Sequence, residues 1–263
     1  MAKLTEYIES PRFDSGDILI KDGSSGTRKI TAANAAIEFA GLVSPINHRN
    51  IYRGKNLGTV ITEAQKAAIQ AGTFDDLFIG DYWVINGVNW VIADMDYWYN
   101  CGDTEFTNHH LLIVPSTSLY NAKMNDTATA EGGYVGSLMY TENLDAAKTT
   151  ISTAFGDMLL NHREYLSNAD TGASAWFDSE VELLNEVMVY GCYIHTISGG
   201  KITINKQQLS LFRLNPRMIN IRSTYWLRDV VSSSVFAIVN TSGNASRNSA
   251  SYSHGVRPVF AIG

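Results

Sequence analysis

Apolar residues change their spacing several times along the chain, and each change predicts a different element. Tyr82-Trp83-Val84-Ile85 and Val88-Asn89-Trp90-Val91-Ile92 are rich in aromatic and β-branched residues and are separated only by Asn86-Gly87. Asn-Gly supplies the two positive φ angles of a type I′ turn, so this stretch predicts a β-hairpin. His110 to Val114, closed by Pro115, predicts a further strand. The period then lengthens. Leu144, Ala147, Ile151, Ala154, Phe155, Met158, Leu159 and His162 recur at helical spacing, which predicts one helix over Asn143–Leu166. A second helix is predicted after a cap at Asp178 or Ser179, with Val181, Leu184, Val187 and Met188 as its stripe and its end near Gly191. A short helix over Gln207–Arg213 is expected to stop before Pro216. Strands return at Thr224–Arg228, Val235–Val239 and Val256–Ile262. Between the last two, Asn240 to Gly255 has no apolar periodicity and predicts a polar loop.

The first fifty residues follow another plan. Asp17–Lys21 predicts a strand, Asp22–Gly26 a glycine-bearing turn and Thr27–Ile30 the returning strand. Thr31 then stands as N-cap of a helix over Ala32–Ala40, stopped by Gly41. A hairpin and one small helix cannot bury a core of their own. Residues 1–50 are therefore expected to dock on the main domain or on another subunit, and 51–263 to form that domain. Val43–Gly58 reads as a connector, and Thr62 caps a short helix over Glu63–Gln70.

Composition narrows the function classes. With 45% hydrophobic and 17% charged residues, a sizeable core is expected and wholesale disorder is not. The net charge of −6, with no clustered Lys and Arg, argues against a nucleic-acid partner. Apolar runs are short, so no membrane insertion is expected, and the acidic start Met1–Ser10 lacks the apolar stretch of a secretory signal. Cys101 and Cys192 are the two cysteines; without an export signal they read as buried, reduced thiols, although spacing leaves a disulfide open. No CxxC, HExxH or paired-His spacing supports a zinc site.

Tyr225-Trp226-Leu227-Arg228-Asp229, a small polar stretch, and then Gly255-Val256-Arg257-Pro258-Val259-Phe260 resemble one particular group of proteins. They are similar to the endings of phage and prophage proteins with C-type-lectin-like domains, which include retroelement-diversified variable proteins and the tail or head fibres of phages of gut bacteria. Gly72 to Trp83, the run Tyr97–Gly102 and His162–Leu166 look like further features of such fibres. The resemblance covers roughly residues 50–263, and the N-terminal strand–turn–helix is similar to short virion-docking segments. It implies an α+β, C-type-lectin-like fold and a non-enzymatic virion-surface protein, assembled in the host cytoplasm. It further implies a homotrimer that binds a host cell-surface glycan or protein and docks to other virion proteins through the N-terminal segment. The chain also departs from relatives of that fold. The Glu-Pro-Asn, Gln-Pro-Asp and Trp-Asn-Asp triplets of calcium-dependent sugar binding are missing, and Cys101 and Cys192 lie outside the final strands, where they do not match the active-site cysteines of sulfatase-modifying enzymes.

The candidate ligand-binding residues are Asn240, Ser242, Asn244, Ser246, Arg247, Asn248, Ser249, Ser251, Tyr252 and His254. Small adaptable hydrogen-bonding groups with an occasional aromatic are the chemistry of a recognition loop. They are also the residues adenine-directed mutagenesis leaves behind; a merely solvated loop has a similar composition. Trp226 is expected in the core, and Arg228 and Arg257 are expected to hold loops through carboxylates or carbonyls, with Asp229 as a candidate partner. His109 and His110, as strand neighbours, point to opposite faces and are not expected to chelate one ion. His162 and Glu164, two apart on the predicted helix, do not share a face, which argues against an acid–base pair. Asp75, Asp76 and Asp81, or Asp94 and Asp96, offer only a weak calcium reading. Three rings in a row at Tyr97, Trp98 and Tyr99 cannot all face one core, so at least one is expected at a subunit contact or stacked on a ligand. No cofactor, metal or catalytic residue is expected. The main rival to a receptor-binding fibre is a purely structural virion component; an enzyme of the same fold lacks a visible nucleophile–base pair.

Overall fold

The computed structural model describes residues 18–21, 28–31, 34–35, 45–201, 205 and 207–263. Strands β1 (Ile18–Lys21) and β2 (Arg28–Thr31) form the expected antiparallel hairpin. The Thr31 hydroxyl accepts from the Asn34 N–H at 3.3 Å, as a cap should; the rest of the helix predicted over 32–40 lies outside the described residues apart from Ala35. The short helix α1 (Pro45–His48) follows, and then α2 (Glu63–Gln70). Thr62 closes α2 with a capping box: its hydroxyl accepts from Gln65 N–H, and the Gln65 side chain accepts from Thr62 N–H. His48 and Arg49 pack on the main body, through Leu77 and Asp94 respectively.

Strands β3 (Tyr82–Ile85) and β4 (Val88–Met95) pair in the predicted register, with Asn86 at φ 52° and Gly87 at φ 78° in the turn. Next come β5 (Leu111–Pro115), β6 (Tyr120–Lys123) and a π-helical turn at Met139–Asn143 that runs into α3 (Asp145–Phe155). The helix predicted to Leu166 stops here. Gly156 turns to φ 57° and the chain re-enters as β7 (Leu159–Leu160) and β8 (His162–Ser167). Ala147, Ile151 and Phe155 bury one face of α3, whereas 162–167 alternate buried and half-buried, the period of a strand. Strands β9 (Ser174–Ser179) and β10 (Val181–Leu183) occupy the start of the second predicted helix. That helix is one turn, α4 (Glu186–Tyr190), capped by Asn185 rather than Asp178 or Ser179, and ended by Gly191 in the left-handed conformation. Val181 lies on β10, outside the helical stripe.

The chain ends with α5 (Ser210–Leu214), β11 (Tyr225–Ser232), β12 (Val235–Val239), β13 (Ala245–Ser249), β14 (Ser253–Val256) and β15 (Pro258–Ile262). Half of the predicted loop over 240–255 is strand, in β13 and β14. Its polar residues hid the alternation because β13 is an edge strand, paired with β12 on one side only.

The architecture is α+β and mostly sheet. One sheet runs β10-β15-β5-β4-β3, all antiparallel, with β7 also beside β15. The second runs β13-β12-β11-β14-β6, with β11 and β14 parallel; β8 and β9 form a separate hairpin. The second sheet is covered on both faces. Tyr225, Leu227, Ala237 and Val239 join the main core with the first sheet. Trp226, Val230, Phe236 and Ile238 face a second cluster with Met124, Tyr134, Leu144 and Leu166. That double burial explains why β11 and β12 read as near-continuous apolar runs. Gly255 is fixed by close approach: a Cβ there would meet the Ser118 hydroxyl at 2.1 Å and the Thr224 carbonyl at 3.0 Å. Among the described residues no helix is long and apolar enough to cross a membrane.

Candidate functional site

The strand register divides the ten candidate residues. Asn240, Ser242 and Asn244 belong to the β12–β13 turn, where the Asn240 side chain accepts from the Ser242 and Asn244 N–H groups at 2.9 and 3.0 Å. Ser246 and Asn248 lie opposite Ile238 and Phe236, on the Trp226 side of the sheet. Arg247 and Ser249 lie opposite Ala237 and Val235, on the other side. Ser251 and Tyr252 form the β13–β14 turn, and His254 sits on β14 opposite Ala122. The two turns lie at opposite ends of a five-residue strand, about 17 Å apart. A small ligand cannot touch both ends.

The Trp226 side carries a built platform. Trp226 is fully buried and donates its indole N–H to the Ala122 carbonyl at 2.9 Å. The His254 ring packs edge-on against it, with centroids 4.8 Å apart. His254 Nε2 lies 2.9 Å from the Asn248 side-chain nitrogen, and Tyr252 stacks nearly parallel to His254 at 6.2 Å. Burial lowers the His254 pKa, which favours a neutral ring whose Nε2 accepts from Asn248. Tyr252 crowns the stack with 57% of its surface exposed. Ser242, Asn244 and Arg247 are also exposed, but away from this stack. Asn240, Asn248, Ser249 and Ser251 are half-buried and engage one another or the backbone.

Behind the platform lies a buried charge network that the sequence did not announce. Arg228, on β11, forms an ion pair with Glu164 of β8, not with Asp229. His162 Nε2 is 3.3 Å from Glu164 Oε2. The two do share a face, because β8 is a strand; the helical argument that separated them fails with the helix. Burial alone would raise the Glu164 pKa, but Arg228 and His162 outweigh it and hold the carboxyl below its usual range. Glu164 is thus held as an ionised partner of Arg228, which does not suit it to act as a general acid. Burial pushes the neighbouring Glu182 up despite Arg228. Asp229 accepts from the Glu186 N–H at 2.7 Å and contacts the Thr196 hydroxyl. Burial, then the nearby Glu186, raise its pKa to about 7. A cavity of about 30 Å³, room for a water molecule, lies between β8, β11 and the 193–200 segment. The signal for Glu164 was its two-residue period with His162 and Leu166.

The other singled-out residues have structural partners. Arg257 is buried and donates to the carbonyls of Pro115 and Met218 and to the Tyr225 hydroxyl, the loop-holding role expected of it. His109 pairs with Asp96 and stacks on Tyr99 at 4.6 Å. His110 accepts from Trp98 N–H and lies 2.9 Å from the Asn108 carbonyl, so its neutral form, protonated on Nδ1, satisfies both. Tyr97 and Trp98 are buried, and Tyr99 is half-buried under its His109 contact. Asp94 pairs with Arg49 and caps Ser210, while Asp81 and Asp76 bind Arg53 and Lys55. Asp75 accepts from the Thr73 hydroxyl at 3.1 Å. Cys101 and Cys192 are free thiols, but Cys101 is half-buried and Cys192 exposed where two buried residues were expected. Among the described residues, no group of three or more His, Cys, Asp and Glu side chains converges as metal ligands. Comparison with protein-family models, with curated proteins and with solved structures finds no match for the chain.

Proposed function

We propose that the chain is a phage virion fibre protein that binds a host-surface glycan or protein through the Trp226 side of its C-terminal sheet. In this reading residues 51–263 are a C-type-lectin-like domain, and residues 1–50 dock to other virion proteins in a homotrimer. The sequence resemblance supports the virion assignment, and one observation supports the site. Tyr252 is exposed at the top of a stack fixed beneath by His254, Asn248 and buried Trp226. An aromatic already held in place gives up little conformational freedom when a ligand covers it, which is what a recognition anchor requires. Arg247, by its register, belongs to a different face and is not part of this contact.

The test compares two alanine variants in a glycan array and a host-cell attachment assay. Tyr252→Ala should weaken attachment by about tenfold or more, the loss typical of an interface hot spot. Arg247→Ala should stay within about twofold of the parent, and both should melt with it, since exposed changes cost about 0.5 kcal/mol or less. Attachment that depends on Arg247 and not Tyr252 would move the site to the opposite face. Attachment unchanged in both would favour a purely structural virion component. The internal hydrogen bonding of Asn240, Asn248, Ser249 and Ser251 is what favours that second reading.

A further inference from the structure

Residues 193–197 cross over the end of α4 and return to β11, and Glu186 holds them there. Its carboxylate accepts from the N–H groups of Ile194, His195 and Thr196 at 2.8, 2.9 and 3.0 Å. The Thr196 hydroxyl lies 2.6 Å from Glu186 Oε2 and 3.1 Å from Asp229 Oδ1. A hydroxyl has one proton and cannot donate to both oxygens. One carboxyl must therefore supply a proton for both contacts to be bonds. Glu186 Oε2, the oxygen that faces the hydroxyl, already accepts from the N–H groups of Ile194 and Thr196 and has no room for a proton of its own. The remaining proton thus belongs on Asp229 Oδ1, donated to Thr196 Oγ1, while Thr196 donates to Glu186. The other Asp229 oxygen accepts from Glu186 N–H at 2.7 Å.

We infer that residues 193–197 form a proton-latched strap: one proton on Asp229 fastens the strap to β11, and its departure loosens it over the cavity beneath. When that proton passes to solvent, one hydroxyl proton is left between two carboxylates, and the Asp229–Thr196 contact turns from a bond into repulsion. Every neighbour works in that setting. Glu186, from α4, opposes ionisation of Asp229, while Arg228, from its own strand, favours it but is engaged by Glu164 of β8 and lies close to Glu182 of β10. Tyr193, from the strap itself, is a neutral phenol beside Asp229. Burial and Glu186 set the release near neutral pH, at about 7. At its far end the strap stays anchored to β11 at Ile197, whose N–H donates to the Val230 carbonyl at 2.9 Å and whose side chain packs on the cluster that holds Val230. Its loosening uncovers the Tyr193 and Arg228 side of the cavity, so the switch governs access to an otherwise closed guanidinium.

Hydrogen exchange of the full chain reads the strap directly. Between about pH 5.5 and about pH 8.5, after correction for intrinsic exchange, protection at Ile194–Ile197 should fall by about tenfold or more, while α3 keeps its protection. Asp229→Asn reproduces the protonated acid, since its amide N–H can donate to Thr196 and its oxygen can accept from Glu186. That variant should stay protected at both pH values. Thr196→Val removes the shared hydroxyl and should be weakly protected at both. Equal protection of the parent at the two pH values, or a fall that persists in Asp229→Asn, overturns the latch. Should either variant fail to fold, carboxyl ¹³C titration of the unmodified protein decides: one aspartate must titrate at about 7. Aspartates that all titrate in the ordinary range, about pH 4, sink the proposal.

Discussion

At the scale of single residues, the molecule is governed by buried charges that are paired with each other. Arg228 is the clearest, because Glu164 is fully buried and the guanidinium is its cationic partner. Removing one member of such a pair strands the other in a medium that solvates it poorly. Arg228→Met should therefore lower unfolding stability by about 3–5 kcal/mol, and adding Glu164→Gln should recover a substantial part. Urea unfolding of the two singles and the double measures the coupling. Additive losses would mean that the two side chains stabilise the fold independently. The sequence marked Arg228 as a loop-holding residue but named the wrong partner. Asp229, its chain neighbour, points to α4 and the strap, whereas Glu164 is distant in sequence and reaches Arg228 only because β8 lies beside β11.

At the scale of elements, the sequence was legible wherever local chemistry agreed with tertiary context. The Asn86-Gly87 hairpin, the Thr62 cap, Gly191 and the strands at Val235–Val239 and Val256–Ile262 all stand close to where their residues put them. Long-range packing made the rest illegible. Met158, Leu159 and His162 continue the helical spacing of α3 by coincidence, yet Met158 falls in a tight turn after Gly156, and β15 and β9 take up Leu159 and His162 as strand partners. The same cause hid β13, since an edge strand of Ala, Ser, Arg and Asn has the composition of a loop. The candidate site was thus half legible: its residues were named, but their division between two sheet faces depends on a register that only β12 supplies. The break after α3 gives a direct test. Gly156 sits at φ 57°, ψ −127°, a conformation costly for any residue with a Cβ, although a Cβ there would meet nothing within 4 Å. Gly156→Ala should therefore destabilise by about 1–3 kcal/mol through backbone strain alone. Equilibrium unfolding that finds it neutral or stabilising would mean that packing of β7 and β8, rather than the glycine, ends the helix.

For the molecule as a whole, two buried groups pull stability in opposite directions over the same pH range. Asp229 has an unfolded pKa of about 3.9 and a folded one of about 7, raised by burial and by Glu186. Between those values the folded state binds the extra proton, so the stability Asp229 contributes is complete below about pH 4 and is lost as pH rises through about 7. His110 does the reverse. Burial holds its ring neutral down to about pH 4, against an ordinary value of 6.5. Its contribution is present above about pH 6.5 and is lost as pH falls through about 4. The paired acid Glu164 acts lower, in the range where its unfolded carboxyl titrates, and is common to parent and variant. Asp229→Asn deletes the first effect and leaves the second. The stability of the variant relative to the parent should therefore climb steadily between about pH 4 and about pH 7, by up to roughly 4 kcal/mol, and level off above. Urea unfolding of both proteins across that range supplies the difference curve. A difference that stays constant with pH would mean that Asp229 is an ordinary ionised carboxylate in the folded state, and that the pH response of this fold rests on His110 and the other buried groups instead.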